Sequence, residues 1–357
     1  MSDFDLIDLR TRNPITWIEE LFIQKARPGD GTLLPGKLPV FVCSGYELDA
    51  KISFFRNLDK ANLPFVLVHT SDESYDNNLS VYEFKMCLAV FRNYFRFRGG
   101  LRSALRLFAG SLTHRAISRY DVNPWRRTLY KILYDIRDRY PSAAIHQSFP
   151  RLPAGKVYPL PLGYLDTIAA YMHADKERRL PVDQRPFKWS FTGDTSKRDR
   201  TLMVNLFNQH YKGLLHCNSS WQDSRQISHQ DYWNSLCQSV FIPCPMGYIN
   251  LETARVYEAL EAGAIPLLLR SHAYQPYPYF DTLWGPHPVP VFDTWNSAIK
   301  FVSSLSDEGL CDLARRVQEW YSSYKATLAQ KIEAKLNSLL VENKELLPRQ
   351  VVHLPVH

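Results

Sequence analysis

Short apolar runs bounded by glycine or proline alternate along this chain with stretches of helical spacing. PVFVCS at 39–44, between Gly36 and Gly45, and PFVLVH at 64–69 read as buried parallel strands, and residues 52–63 between them carry apolar positions at helical spacing. That is a β-α-β opening. Strand two ends in the loop His69-Thr-Ser-Asp-Glu-Ser-Tyr75, a second apolar segment runs from Tyr82 to Phe97, and a strand-like run at 157–162 leads into Gly163. The second half restarts the rhythm. Strands are expected at 187–192, 213–217, 240–243, 264–269 and 289–292. Helices are expected at 198–210, 230–238, 251–262, where Gly263 stops the last one, at 294–305, and in a long tail from 308 to 343.

This alternation predicts an α/β protein, and 357 residues is about twice the ~150-residue prior for one domain. The division expected is an N-terminal Rossmann-like domain at 1–173, a Pro-rich charged linker at 174–186, a second Rossmann-like domain at 187–306, and a helical tail at 307–357 that could return to the first domain. Inside the first domain, residues 96–140 stand apart as an arginine-rich amphipathic insertion.

Composition adds limits. A 45% hydrophobic and 22% charged chain has material for one core per domain, which excludes a disordered protein. Net charge of +7 favours anionic ligands without choosing among nucleotide sugars, lipid phosphates and nucleic acid. No helix-turn-helix, RNP or zinc signature accompanies the basic stretch, so nucleic acid is not an expected partner and a non-catalytic basic scaffold is the distant alternative. The six cysteines lack metal-ligand spacing and read as buried thiols in a reducing compartment. The start, MSDFDLIDLRTRNP, is not a signal peptide, and no apolar run reaches about 18 residues, so a cytoplasmic protein touching membranes at most peripherally is expected.

Two strand-to-helix junctions of the second half carry chemistry. In FTGDTSKRDR, residues 191–200, a strand and the turn at Gly193 deliver Lys197, Arg198 and Arg200 to the start of a helix, where backbone N–H groups and cations together suit a diphosphate. In CPMGYINLETARVYEALEAGAIPLLL, residues 244–269, Gly247 allows close backbone approach, and Glu252, Arg255 and Glu258 recur at every third position of one helix. Arg255 suits phosphate oxygens and Glu258 suits ribose hydroxyls. Each cluster alone is equally a solvated helix face or a salt-bridge ladder; two at successive strand ends favour a site.

The segment SVFIPCPMGYINLETARVYEALEAGAIPLLL at 239–269 resembles the core signature of the exostosin-like glycosyltransferases. So, in order, do the Ser-Asp-Glu loop at His69–Glu73, FRNY at 91–94, PLPLGY at 159–164 and FTGDTSKR at 191–198. The resemblance implies a GT-B fold of two facing Rossmann-like domains with a cleft between them, an inverting reaction, and a UDP-sugar donor held by the C-terminal domain. The chain lacks the anchor and disulfides of many animal members, and the 96–140 stretch is longer than expected.

Inversion needs a base for the acceptor hydroxyl and positive charge for the departing diphosphate. Arg198, Lys197 and Arg255 are the expected charges. No cofactor or metal is expected: the one Asp-x-Asp, Asp3-Phe4-Asp5, reads as part of an N-terminal tail. Asp72 and Glu73 at the end of strand two are the expected base candidates, with His69, Glu47 and Asp49 nearby. His146, Tyr248 and Trp221 are weaker cleft candidates. A GDP-sugar-dependent, fucosyltransferase-like enzyme is the rival reading. The acceptor expected is a glycan or lipid-linked glycan, with the basic stretch a candidate contact for an anionic membrane.

Overall fold

The structure, a computed structural model, describes residues 3–10, 16–45, 47–71, 77, 79–94, 155–174, 179–195, 198–218, 227–247, 250–270 and 278–355. They form two compact units, one from residues up to 94 with 155–162 and 325–355, the other from 163–324.

The first unit contains β1 (Phe4–Asp8), α1 (Thr16–Phe22), β2 (Arg27–Pro28), β3 (Thr32–Leu33), β4 (Leu38–Ser44), α2 (Leu48–Lys60), β5 (Phe65–Thr70), β6 (Cys87–Arg92) and β7 (Val157–Pro159). Its sheet has the order β2-β1-β4-β5-β6-β7, and every pair in it is parallel. All seven residues of β4 and all six of β5 are buried, the continuous apolar run of a parallel sheet covered on both faces. Phe41 of β4 meets Phe54 and Phe55 of α2 edge to face, which fixes that helix on the sheet.

Strand β1 corrects the sequence reading. FDLID is a fully paired strand between β2 and β4, not a tail. Asp5 of the Asp-x-Asp is buried in it, and its carboxylate is bound by Arg27 at 2.7 Å. The strand following it in the sheet begins at Leu38, with register Asp8↔Val42.

The second unit holds α3 (Asp166–Ala174), β8 (Phe187–Asp194), α4 (Arg198–His210), β9 (Gly213–Asn218), α5 (His229–Cys237), β10 (Ser239–Cys244), α6 (Ala254–Glu261), β11 (Ile265–Leu269), α7 (Tyr279–Trp284), β12 (Val291–Phe292) and α8 (Trp295–Ser304). Its sheet, β12-β11-β10-β8-β9, is also parallel throughout. Arg185, in the stretch expected as a linker, is buried, and its guanidinium donates to the carbonyls of Leu180, Ser239 and Ala262. Burial pushes its pKa down to about 10.

The tail is α9 (Asp307–Glu342), a single 36-residue helix, followed by β13 (Val352–His353). The first part of α9 is tied to α6, where Tyr321 donates to Glu261 at 2.9 Å and Gln318 to the Leu260 carbonyl at 3.0 Å. Its later part belongs to the first unit, with the Lys335 ammonium over the Tyr158 ring, and β13 pairs antiparallel with β3. The α/β class, with two parallel sheets and a helical C-terminal tail, is as expected. No helix among the described residues is long and apolar enough to cross a membrane.

Candidate functional site

Both sheets change direction once. In the second, the chain runs from β8 outward to β9, then returns to place β10 on the other side of β8 and continues to β11 and β12. Ligands of open parallel sheets bind beyond the carboxyl ends of the strands at such a switch point, because the loops there diverge and leave a crevice. The switch point lies between the ends of β8 and β10, and both chemically loaded junctions meet at it.

Their meeting is specific. Arg255, near the start of α6, donates through Nη2 to the Thr192 carbonyl at 2.5 Å, and its guanidinium lies 4.5 Å from the centre of the Phe191 ring. Gly193 makes room for this. With φ of 145° it sits where L side chains are strained, and a Cβ there would stand 3.2 Å from Arg255 Nη2. In the opposite direction Arg200, from the first turn of α4, donates to the Asp194 carbonyl at 2.9 Å and to the Met246 carbonyl at 3.0 Å. Arg200 is thereby a clasp between junctions, not a charge open to a ligand.

Three polar atoms at this place are buried without a partner among the described residues: Thr192 Oγ1, Thr253 Oγ1 and Arg255 Nε. Thr253 is the N-cap of α6, yet its side chain makes no capping bond, so the positive end of that helix lacks its usual internal acceptor. Buried polar groups are nearly always satisfied, so three orphans around one helix start mark a place built for an outside acceptor.

The acidic residues have closer partners. Glu258, 2% exposed, accepts from the Tyr232 hydroxyl at 2.6 Å and from the Leu165 backbone N–H at 3.4 Å. Burial raises its pKa, opposed by the Tyr232 hydrogen bond and the Arg255 charge. Glu252 accepts from the hydroxyls of Tyr257 and Tyr279, the latter at 2.6 Å. It precedes the helix, which begins at Ala254 and not at Leu251, so Glu252 does not share a helical face with Arg255 and Glu258. Gly247 closes a tight loop by donating to the Asn250 carbonyl at 2.7 Å. Under the site, burial pushes the Cys244 thiol up to about 12, which leaves it inert. Cys217 and Cys311 are exposed, against the expectation that all six thiols are buried.

Asp72, Glu73, Lys197, His146, Tyr248, Trp221 and the basic stretch 96–140 lie outside the described residues, as does the side chain of Arg198, whose backbone opens α4. In the first unit His69 is wholly buried at the end of β5; its Nδ1 lies 2.5 Å from the Tyr82 hydroxyl and 3.1 Å from Arg92 Nη1. Burial, then the Arg92 charge, lowers its pKa well below the ordinary value, which keeps it neutral. Asn93 orders the loop after β5 by accepting from the Ser71 N–H at 3.0 Å. The motifs singled out in the sequence sit at strand ends: His69, Arg92, Pro159, Thr192 and Cys244 each stand in the last positions of a strand.

Residues 169–277, which hold Thr192, Arg200, Thr253 and Arg255, match the family model described as the RXYLT1 C-terminal domain. No curated protein matches the chain. Among solved structures it is similar to an alpha1,3-fucosyltransferase, at 13% identity and a TM-score of 0.36 over 92% of this chain and 91% of that one. It is also similar to Anabaena Alr3699/HepE in complex with UDP, at 10% identity and a TM-score of 0.35 over 94% and 100%. Both whole-chain likenesses are loose.

Proposed function

We propose that the chain is an inverting glycosyltransferase that moves a sugar from a UDP-sugar to a hydroxyl of a glycan or lipid-linked glycan, without a metal ion. The observation that carries the donor half is the trio of unsatisfied buried atoms, Thr192 Oγ1, Thr253 Oγ1 and Arg255 Nε, at the start of α6. A nucleoside diphosphate supplies what they lack. Its oxygens accept from both hydroxyls, from Nε and from the first backbone N–H groups of the helix, and its charge is opposed by Arg255. Lys197 and Arg198 precede and open α4 at the neighbouring junction and add charge to the same leaving group. Gly193 and Gly247 let the backbone approach, and Glu258 takes the ribose hydroxyls. Glu252 stands just ahead of the helix start, bound by the hydroxyls of Tyr257 and Tyr279. Arginine in place of a divalent cation is consistent with the use of Asp5 in an ion pair with Arg27. Asp72 and Glu73 are the sequence candidates for the base.

Thermal shift with UDP, GDP, CMP and ADP, each with and without EDTA, tests this. Ligand at a hundredfold excess over Kd adds about 2.7 kcal/mol. Protection by UDP alone, indifferent to EDTA, is expected. Protection by GDP instead replaces the donor with a GDP-sugar, and protection lost with EDTA overturns metal independence. No protection by any nucleotide overturns the transferase reading.

A further inference from the structure

Arg179 and Arg185 lie on the stretch of the second unit that leads into β8, and the charge of Arg179 bears on Arg185. Arg185 is satisfied. Its Nε, Nη1 and Nη2 donate to the carbonyls of Leu180, Ser239 and Ala262, which anchors it beside the first residue of β10, at the amino edge of the sheet. Thr192 and Arg255 stand at the opposite, carboxyl edge. Burial, and with it the Arg179 charge, lowers the Arg185 pKa to about 10, and no carboxylate opposes this.

Arg179 is not satisfied. It is half-buried, its guanidinium carbon lies 5.6 Å from the centre of the Trp233 ring in α5, and its Nε and Nη2 are buried without a partner among the described residues. The identity of the two nitrogens matters. Nε and Nη2 form one edge of the planar guanidinium, the edge that grips two oxygens of a single oxyanion with parallel hydrogen bonds.

A second observation comes from α5. Trp233 is fully buried, and its Nε1 also has no partner among the described residues. Arginine and tryptophan side chains only donate, so neither satisfies the other, and their contact is that of a cation with a ring. Three buried donors on two neighbouring side chains thus lack an acceptor, while Arg185 adds positive charge without a free donor. A carboxylate spends both oxygens on the guanidinium edge, whereas a phosphate group keeps further oxygens for Trp233 Nε1. Its charge also offsets the repulsion between the two arginines.

We propose that Arg179 and Trp233 form a second anion site, separate from the donor site, that takes a phosphate group, either as the free ion or as an ester. Trp233 is the floor of this site and Arg179, half-buried, its rim. The site lies within the second unit and does not rest on the glycosyltransferase reading.

The test is thermal shift of the full chain at constant pH and ionic strength, with phosphate, glycerol 3-phosphate or acetate replacing chloride, in chains with and without Arg255→Ala. Arg255→Ala weakens the donor site, so a phosphate shift that persists in it reports the second site. In that background Arg179→Met and Arg179→Lys are each expected to weaken phosphate binding about 10- to 100-fold, since lysine keeps the charge but loses the two-nitrogen edge. Trp233→Phe, which keeps an aromatic ring and loses Nε1, is expected to weaken it about 3- to 10-fold. In phosphate-free buffer Arg179→Met should melt at or above its parent, because it removes two unsatisfied donors. A shift with both phosphate and glycerol 3-phosphate supports a site for an ester, and a shift with phosphate alone supports a site for the free ion. A phosphate shift that is lost in Arg255→Ala, or that survives unchanged in Arg179→Met, overturns the proposal. So does a Tm loss in Arg179→Met that is the same with and without phosphate, since the guanidinium would then be structural, and acetate matching phosphate overturns the choice of a phosphate group.

Discussion

Arg200 and Arg255 bind each other's loops. Each is rooted in one strand-end junction of the second sheet and donates to a backbone carbonyl of the other, Arg200 to Met246 and Arg255 to Thr192. Neither spends its charge on a carboxylate in these bonds. Arg200 has both ends of its fork occupied by carbonyls, those of Asp194 and Met246, whereas Arg255 spends only Nη2 on the Thr192 carbonyl.

The two arginines should therefore fail differently. Arg255→Ala is expected to weaken nucleotide protection about 10- to 100-fold, the worth of a charge-assisted hydrogen bond, with a small change in Tm. Arg200→Ala is expected to lower both Tm and nucleotide protection, because two carbonyls and two loops lose their tie. Thermal melts with and without UDP separate the cases; equal Tm losses in both variants would contradict the assignment.

Gly193→Ala places a Cβ at a φ of 145°, 3.2 Å from Arg255 Nη2. A destabilisation of about 1–3 kcal/mol is expected from the backbone. Denaturant unfolding should show it, and UDP should protect this variant less than wild type because Arg255 must give way.

Arg185→Ala strips donors from the carbonyls of Leu180, Ser239 and Ala262 in one step. Orphaning buried acceptors costs about 1–3 kcal/mol each, so a loss of ~3 kcal/mol or more is expected in urea unfolding. A neutral result would mean that water replaces the guanidinium.

Glu258 gives a signed dependence on pH. Its folded pKa is raised above 4.5, so the folded state holds the proton more tightly than the unfolded one. The contribution to stability is full below the unfolded pKa and is lost as pH rises through the folded pKa. In Glu258→Gln this loss is absent. The Tm difference between variant and wild type should move in the variant's favour from pH 4.5 upward, and a difference flat with pH would show that Tyr232, Leu165 and Arg255 fully offset the burial.

The periodic segments were legible and the polar exceptions were not. The runs at 39–44, 64–69 and 240–243 are continuous apolar strands, which only a sheet covered on both faces makes. β1 escaped because Asp5 and Asp8 break its apolar run; what makes room for Asp5 in a buried strand is Arg27, a long-range partner with no local signal. The sequence pattern places the start of α6 three residues early because Leu251, Glu252 and Thr253 extend the helical spacing, while Glu252 answers instead to Tyr279. Of the site, the two loaded junctions were visible as motifs. Their reciprocal clasp and the orphaned hydroxyls of Thr192 and Thr253 were not, since they depend on β10 lying next to β8, with β9 on the far side.

The pairing of β13 with β3 joins Val352 to Leu33. The first unit needs residues on both sides of the second, whereas the second is drawn from one continuous stretch of the described chain, 163–324. During synthesis the second unit can close as soon as residue 324 has emerged, while the first still lacks the later turns of α9 and β13. Under the proposed function, a nucleotide bound by the second unit would stabilise it on a growing chain before the first unit has received the end of α9 and the β13–β3 pair.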